Sequence, residues 1–264
     1  MSLLALKLLL PPALVGLASL AGQRWGHRMG GLFAALPIVA GPALLLYALE
    51  EGPAFAAAAA RSSLLGLCPL AGFCVVDAAV ARWTGGLLRE VSASLSLAAG
   101  WVAFLALAFL LMPLEVPAWA CVPAGAAALV AGLSLLPGVP GDGRPPARHH
   151  PGLELALRML AAAALVTGLT GLAGRLGPTF SGLLTPFPVA SSVVVAGAHL
   201  ADGPGALPET LRGFLSGLFG FVVFLAALAA GLERLGLAAS FSLGIMGSAG
   251  AAAVVAWRPW GRTR

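Results

Sequence analysis

About nine apolar stretches, each roughly 20 residues long, follow one another along this chain, and they limit what it can fold into. With 59% of its residues hydrophobic and only 9% charged, the chain has more hydrophobic surface than a water-soluble domain can bury. Inside a bilayer the backbone must satisfy its own hydrogen bonds, so a spanning segment is a helix or part of a closed barrel. Continuous apolar runs of this length predict helices. We therefore expect an all-α, polytopic integral membrane protein.

The apolar stretches also repeat in sequence. LALKLLLPPALVGLASLAG, beginning at Leu4, aligns with LALRMLAAAALVTGLTGLAG, beginning at Leu155, at an offset of about 151 residues. Matching residues follow in the next stretches, and they pair Pro37 with Pro188, Arg61 with Arg212, and ASLSL from Ala93 with ASFSL from Ala239. The offset holds through three helices and slips before the fourth, which indicates a duplicated unit.

This repeat predicts the domain organisation. Two four-helix units occupy residues 1–113 and 151–264, and residues 114–150 hold one linker helix and a loop rich in Pro, Gly and Arg. An odd helix between two even units makes the second unit enter the membrane upside down. We therefore expect about nine transmembrane helices and two repeats in inverted topology.

The positions of the basic residues agree with inverted topology, because cytoplasmic loops collect Lys and Arg. With the N-terminus outside, the cytoplasmic side receives Arg24, Arg28, Arg82, Arg89, Arg144, Arg148, Arg212, Arg258, Arg262 and Arg264, with Arg158 near that face. The outside receives Lys7, Arg61, Arg175 and Arg234. The sequence thus predicts a multi-pass protein of the cell inner membrane, with its N-terminus outside and its C-terminus cytoplasmic.

Several classes of function find no support in the residues. The net charge of +5 is spread among apolar runs, without the basic patch that binds nucleic acid. Cys68, Cys74 and Cys121 are too few and too scattered for a disulfide framework or a metal site. No catalytic motif is present. We expect neither an enzyme, nor a cofactor, nor a metal.

The second helix of each unit is interrupted by proline, at Pro37 and at Pro188. A proline in mid-span removes a backbone donor and frees a carbonyl. Polar residues and a further proline surround the second interruption: Thr185, Pro186, Ser191 and Ser192. Two interpretations remain open: a kink that only shapes the bundle, or a kink that also forms a substrate-binding site.

Arg61 and Arg212 precede the third helix of each unit. An arginine inside an apolar layer pairs with a partner or reaches the headgroups. The candidate structural partners are Glu50, Glu51 or a loop carbonyl for Arg61, and Asp202 or Glu209 for Arg212. The alternative is that both arginines contact an anion or an anionic lipid headgroup.

Further polar residues lie in the predicted helices. The serine pairs Ser94/Ser96 and Ser240/Ser242 recur, and a spacing of two allows one member of each pair to face a shared cavity. We assign Ser94 and Ser240 to the candidate site, with hydrogen bonding between helices as the alternative. Asp77 is the most embedded acid, and it either pairs with Arg82 or carries a proton.

The second unit, SGLLTPFPVASSVVVAGAHLADGPGALPETLRGFLSGLFGF, resembles the GlpM-like family of small four-helix bacterial membrane proteins. The resemblance rests on a glycine, leucine and proline pattern followed by an acid, leucine and arginine at the start of the next helix: Gly182, Leu183, Pro186, Phe187 and Pro188, then Glu209, Leu211 and Arg212. The first unit keeps Gly31, Pro37 and Arg61. The resemblance implies two such units fused in one chain and a role at the bacterial cell envelope, where the family is associated with exopolysaccharide production.

Together these observations lead to a transport hypothesis. A site between the inverted units, lined by the prolines, hydroxyls and arginines named above, would take a small anionic solute or a phosphate-bearing lipid. The competing hypothesis is a non-transporting accessory or scaffold protein of envelope exopolysaccharide machinery. The expected partners are the lipid bilayer and the anion, in a monomer or homodimer.

Overall fold

The computed structural model describes residues 3–17, 37–137 and 151–257. Within these ranges the chain is helical and contains no β-strand, so the all-α prediction is confirmed there. Most of the predicted cytoplasmic loop and several residues named above lie outside the described ranges: Arg24, Arg28, Gly31, Arg144, Arg148, Arg258, Arg262 and Arg264.

Ten α-helices and one 3₁₀ turn follow one another in the described ranges. They are α1 (Leu3–Leu17), α2 (Ala40–Glu50), α3 (Pro53–Leu65), α4 (Leu67–Trp83), α5 (Arg89–Leu111), α6 (Ala118–Leu135), α7 (Pro151–Leu184), α8 (Val189–Asp202), a 3₁₀ turn (Pro204–Ala206), α9 (Leu207–Leu235) and α10 (Leu237–Trp257).

In the part of the chain that the structure describes, five helical stretches are long and apolar enough to cross a membrane: Pro53–Trp83, Arg89–Leu111, Ala118–Leu135, Leu155–Leu184 and Leu207–Leu235. Four shorter apolar helices accompany them: Leu3–Leu17, Ala40–Glu50, Ser191–Leu200 and Leu237–Ala251. The architecture is compatible with a membrane-embedded protein. The stretch that is interrupted at Pro188 is not one continuous helix, since α7 ends at Leu184 and α8 begins at Val189.

Helix α6 packs beside the α3–α4 stretch and runs in the same direction. A Cβ added to Gly125 would lie 2.7 Å from the carbonyl oxygen of Leu64, and one added to Gly132 would lie 3.1 Å from the Cβ of Ala71. The residue numbers of α6 and of the α3–α4 stretch therefore increase in the same direction along the contact. Glycine is needed at Gly125 because this close approach of two backbones leaves no room for a side chain.

Helix α9 runs the opposite way. Leu215 contacts Gly132 of α6, whereas Arg212, earlier in α9, reaches Leu136 just beyond the end of α6. Glu233, near the C-terminal end of α9, pairs with Arg61 of α3. The α3–α4 stretch and α9 are thus antiparallel, and the bundle has two ends, which we call the Arg61 end and the Arg212 end.

One local packing arrangement occurs twice in the bundle. Phe73 packs against Gly100, where an added Cβ would lie 2.7 Å from its ring, and Phe224 packs against Gly244, where the distance would be 2.8 Å. Phe73 and Phe224 are themselves about 151 residues apart. The same local packing therefore joins α4 to α5 and α9 to α10.

Matching corners precede the long helices. Gly52 has φ 97° and is followed by Pro53, while Gly203 has φ 83° and is followed by Pro204. A positive φ of this size favours glycine, and proline at the next position starts a helix well. An acid stands before each glycine, Glu51 in one corner and Asp202 in the other, so the motif is acid-Gly-Pro in both.

Candidate functional site

The most irregular backbone in the described chain lies between Gly177 and Asp202. Gly177 interrupts α7 with φ 72°, and a new helical segment starts at Pro178. This segment ends at Leu184, and α8 continues in its place only from Val189. Pro186 and Pro188 lie in the gap and have no backbone N–H to continue the helix. Residues 178–202 therefore form one broken helix, with its gap inside the bundle.

Close backbone packing holds the broken helix against α3. A Cβ added to Gly66 would lie 2.6 Å from Cγ of Pro186 and 2.8 Å from the carbonyl oxygen of Leu183. One added to Gly182 would collide with the carbonyl oxygen of Ala59. Glycine at both positions lets the gap sit at the junction between α3 and α4.

The serines after the gap are engaged by the protein. Ser191 and Ser192 donate hydrogen bonds to the carbonyl of Pro188, at 3.1 Å and 2.5 Å. The indole N–H of Trp101 donates to Ser192 Oγ at 2.9 Å. Phe187 packs edge-on against Phe104, with ring centroids 4.9 Å apart. These contacts fix the start of α8, so the two serine hydroxyls act first as structural groups.

The hydroxyls at the start of the gap form a second cluster, from α2, from α7 and from the residue just after α7. Thr185 donates to the carbonyl of Ser181 at 2.8 Å. Tyr47, which is 0% exposed, directs its hydroxyl toward Ser181 and Thr185. Neither the Tyr47 nor the Ser181 hydroxyl completes a hydrogen bond of ordinary geometry with any described residue. We call Tyr47, Ser181 and Thr185 the hydroxyl cluster, and it has unused hydrogen-bonding capacity in a buried place.

Sequence reasoning missed Tyr47 and Ser181. Tyr47 is the single tyrosine of the chain, and it lies one short helix away from Pro37. A lone phenol in so apolar a sequence was the available signal, because a buried tyrosine hydroxyl usually has a partner. Pro37 itself stands just before α2, where its carbonyl accepts a hydrogen bond from the backbone N–H of Gly41 at 2.7 Å.

Arg212 is held by the linker helix. One of its terminal guanidinium nitrogens donates to the carbonyl oxygens of Leu136 and Pro137, at 2.6 Å and 3.2 Å. These carbonyls lie at the C-terminal end of α6, where the helix leaves backbone acceptors free and favours a positive charge. The expected ion pairs with Asp202 or Glu209 are therefore replaced by a helix cap.

Arg61 has a different setting. Its guanidinium lies 4.0 Å from Glu233, and the two side chains are 38% and 52% exposed. The expected partner Glu50 instead binds Lys7 at 2.8 Å. An open cleft of about 590 Å³ lies on one side of Arg61, with Glu115 in its wall, and another of about 600 Å³ lies on the other side. Arg61 is therefore accessible at its end of the bundle.

The structure does not bring all the predicted site residues together. Arg61 and Arg212 lie at opposite ends of α6, and neither borders the hydroxyl cluster in the contacts described above. The predicted substrate site, with both arginines beside the prolines, is thus divided into a central broken helix and two separate arginine positions.

The predicted serine pairing needs a correction. Ser94 is exposed and bonds back to the carbonyl of Glu90 at 2.7 Å, whereas Ser96 is fully buried. Ser240 is fully buried as well. Two residues rotate the helix position by about 200°, so Ser96 is the counterpart of Ser240, and Ser94 belongs to the outer surface of the bundle.

Comparison with family models, with curated proteins and with solved structures found no match for this chain. The resemblance to the GlpM-like family therefore stays a prediction from the residues that carry it.

Proposed function

We propose that this chain is a transporter of the bacterial inner membrane, and that the broken helix of residues 178–202 binds its substrate. The observation that carries this proposal is the hydroxyl cluster. A buried polar group without a partner is costly, and native proteins retain few of them. Tyr47 and Ser181 have such groups beside a helix gap, which is where transporters place a substrate.

The proposal includes two units in inverted topology. The antiparallel run of α3–α4 and α9 supports it, as do the recurring packing of Phe73 and Phe224 and the two acid-Gly-Pro corners. In this arrangement the nine predicted segments cross the membrane. The Arg61 end faces outside, the Arg212 end faces the cytoplasm, and one unit rocks against the other to expose the site alternately.

The charges favour a small anionic solute. Helix α8 begins at Val189, directly after the gap, and the N-terminus of a helix carries a partial positive charge. The described residues of the gap and of the hydroxyl cluster include no acid. Arg61 lies in the outer clefts, where a permanent positive charge would draw anions toward the entrance. A phosphate-bearing lipid offers the same chemistry and is the second substrate class.

The test is ligand-induced thermal stabilisation of the purified protein in detergent. The panel contains small inorganic and organic anions and short-chain phosphorylated lipids. We expect one class to stabilise the wild type. Tyr47→Phe, which removes a single hydroxyl, should raise the ligand concentration needed for the same stabilisation at least tenfold. Ser134→Ala is the matched control, because this exposed serine of α6 lies outside the broken helix and its hydroxyl bonds to the carbonyl of Val130, and it should respond like the wild type.

The ligand that stabilises the protein should then also be transported in proteoliposomes. Free anions and phosphorylated lipids are tested in separate arms, which decide between the two substrate classes. A panel without any stabilising ligand, together with no flux, would overturn the transport proposal. The accessory role in exopolysaccharide machinery would then be the better account, since a scaffold needs no central binding site.

A further inference from the structure

Asp77 is a carboxyl group enclosed within the α3–α4 stretch. It is 0% exposed, and neither of its oxygens has a hydrogen-bond partner among the described residues. The predicted ion pair with Arg82 is absent, because Arg82 is exposed and forms no ion pair in the described part of the chain. An ionisable group inside an apolar bundle is expensive to keep, which makes it a candidate for a function.

The groups around Asp77 leave its charge uncompensated. Cys74 lies near it on the same helix, and Ser96 faces it from α5. The Ser96 hydroxyl lies 3.2 Å from the carbonyl of Ala93 instead of completing a bond to the carboxyl group. Helix α6 contains no charged residue.

The arginines of the other neighbouring helices are committed elsewhere. Arg212 of α9 is bound to the end of α6, and Arg61 of α3 lies at the far end of the bundle beside Glu233. The 3₁₀ turn between Pro204 and Ala206 contains no titratable side chain. Arg89, at the start of α5, donates to the carbonyl of Leu200 at 3.1 Å. No cation of the described chain forms an ion pair with Asp77.

A chain of polar side chains leads toward Asp77 from Thr84, which is half-buried at the C-terminal end of α4. His199 Nε2 lies 3.1 Å from Ser92 Oγ, and Ser92 Oγ lies 2.8 Å from Thr84 Oγ1. Ser92 and Ser96 both belong to the buried stripe of α5 and are one helical turn, about 5 to 6 Å, apart. His199 also has a second ring nitrogen without a described partner.

We propose that Asp77 is a proton-binding site that exchanges with the aqueous phase at the Arg212 end through Thr84, Ser92 and Ser96, with His199 bonded to Ser92. The carboxylate takes up one proton from water and becomes a neutral carboxylic acid, which the enclosed packing tolerates; loss of the proton leaves a buried, unpaired charge. Ionisation therefore favours an arrangement in which Asp77 meets water. This inference rests on the proposed transport function, in which the proton is the coupling ion.

Only one of the two units carries this group. The residue at the repeat spacing from Asp77 is Leu228, which is equally buried. The proposed stoichiometry is therefore one such proton for each chain.

The test is infrared difference spectroscopy of the full chain in lipid nanodiscs during a pH titration with Na⁺ held constant. We expect a protonated-carboxyl band that appears and disappears reversibly with pH, is absent in Asp77→Asn and persists in Glu90→Gln, an exposed control. If Asp77→Asn does not fold, Asp77→Glu replaces it, and the band should move to a different frequency.

Three results would overturn the proposal: no titrating band, a band unchanged in the Asp77 variants, or a band controlled by Na⁺ at constant pH, which would indicate a cation site. This readout requires no substrate. A titrating Asp77 without anion binding would leave the proton site standing and remove the transport proposal, and anion-driven flux without a titrating band would do the reverse.

Discussion

Arg61 and Arg212 stand at opposite ends of helix α6, about 27 Å apart for an 18-residue helix. Arg212 meets the carbonyls at the C-terminal end, where the helix dipole favours a cation. Arg61 lies beside the first residues of α6, where the dipole disfavours a cation, and an acid, Glu233, stands 4.0 Å away. Two residues that correspond in sequence thus have different partners, because the single helix between them has a direction.

Replacement of Arg212 should weaken the fold. Arg212→Gln removes the charge from the end of α6 and the hydrogen bonds to Leu136 and Pro137, and hydrogen bonds from a charged group are worth about 1.5–3 kcal/mol. We expect the free energy of unfolding in mixed micelles to fall by about that amount. Arg82→Gln, at an exposed position, should stay within about 0.5 kcal/mol of the wild type. Equal behaviour of the two variants would contradict the capping role.

Replacement of Arg61 should leave stability almost unchanged. Its contact with Glu233 is long and both side chains are partly exposed, and such pairs contribute about 0–1 kcal/mol. We expect Arg61→Ala to unfold within about 1 kcal/mol of the wild type in the same assay, while the proposed anion uptake in proteoliposomes slows. A loss of stability as large as that of Arg212→Gln would show that Arg61 is structural.

The packing of the helix gap predicts an effect of a single methyl group. Gly66→Ala places a Cβ 2.6 Å from Pro186 and 2.8 Å from a backbone oxygen that cannot move freely. Overpacking of this kind costs about 1–3 kcal/mol, and we expect the thermal midpoint to fall accordingly. Gly213→Ala in α9 is the control, since nothing lies within 4 Å of its added Cβ. It should be neutral or slightly stabilising, because alanine favours a helix.

The corners test the inverted arrangement directly. Glu51 and Asp202 are both exposed and occupy the same position of the acid-Gly-Pro motif. In a chain without its native cysteines, Glu51→Cys should react with a membrane-impermeant maleimide on intact cells. Asp202→Cys should react only after permeabilisation. Labelling of both from the same side would rule out two oppositely oriented units.

Sequence patterns predicted the coarse architecture well, because membrane helices are limited by length and hydropathy. They also located the gap at Pro186 and Pro188, since proline acts on its own backbone. The face of a helix on which a given side chain lies was harder to predict. The sequence favoured Ser94, whereas the buried member of the pair is Ser96. A shift of two residues along a helix moves a side chain to nearly the opposite face.

The partners of the two arginines could not be predicted from the sequence, for a different reason. The expected partners were acids near each arginine in sequence, with a loop carbonyl as a further alternative for Arg61. Arg212 instead binds backbone carbonyls about 75 residues away in the chain. Glu233 comes to Arg61 only because α9 runs antiparallel to α3. Such contacts depend on how helices are assembled, which local spacing does not contain.

The difference between Asp77 and Leu228 has a consequence for how such a bundle is encoded. A symmetric dimer of identical chains holds every residue an even number of times, so it contains two buried carboxyl groups at this position or none. A chain that joins two separate copies can mutate one and keep the other. It can therefore hold an odd number of acids in hydrocarbon, and the cost of desolvating that acid is incurred once.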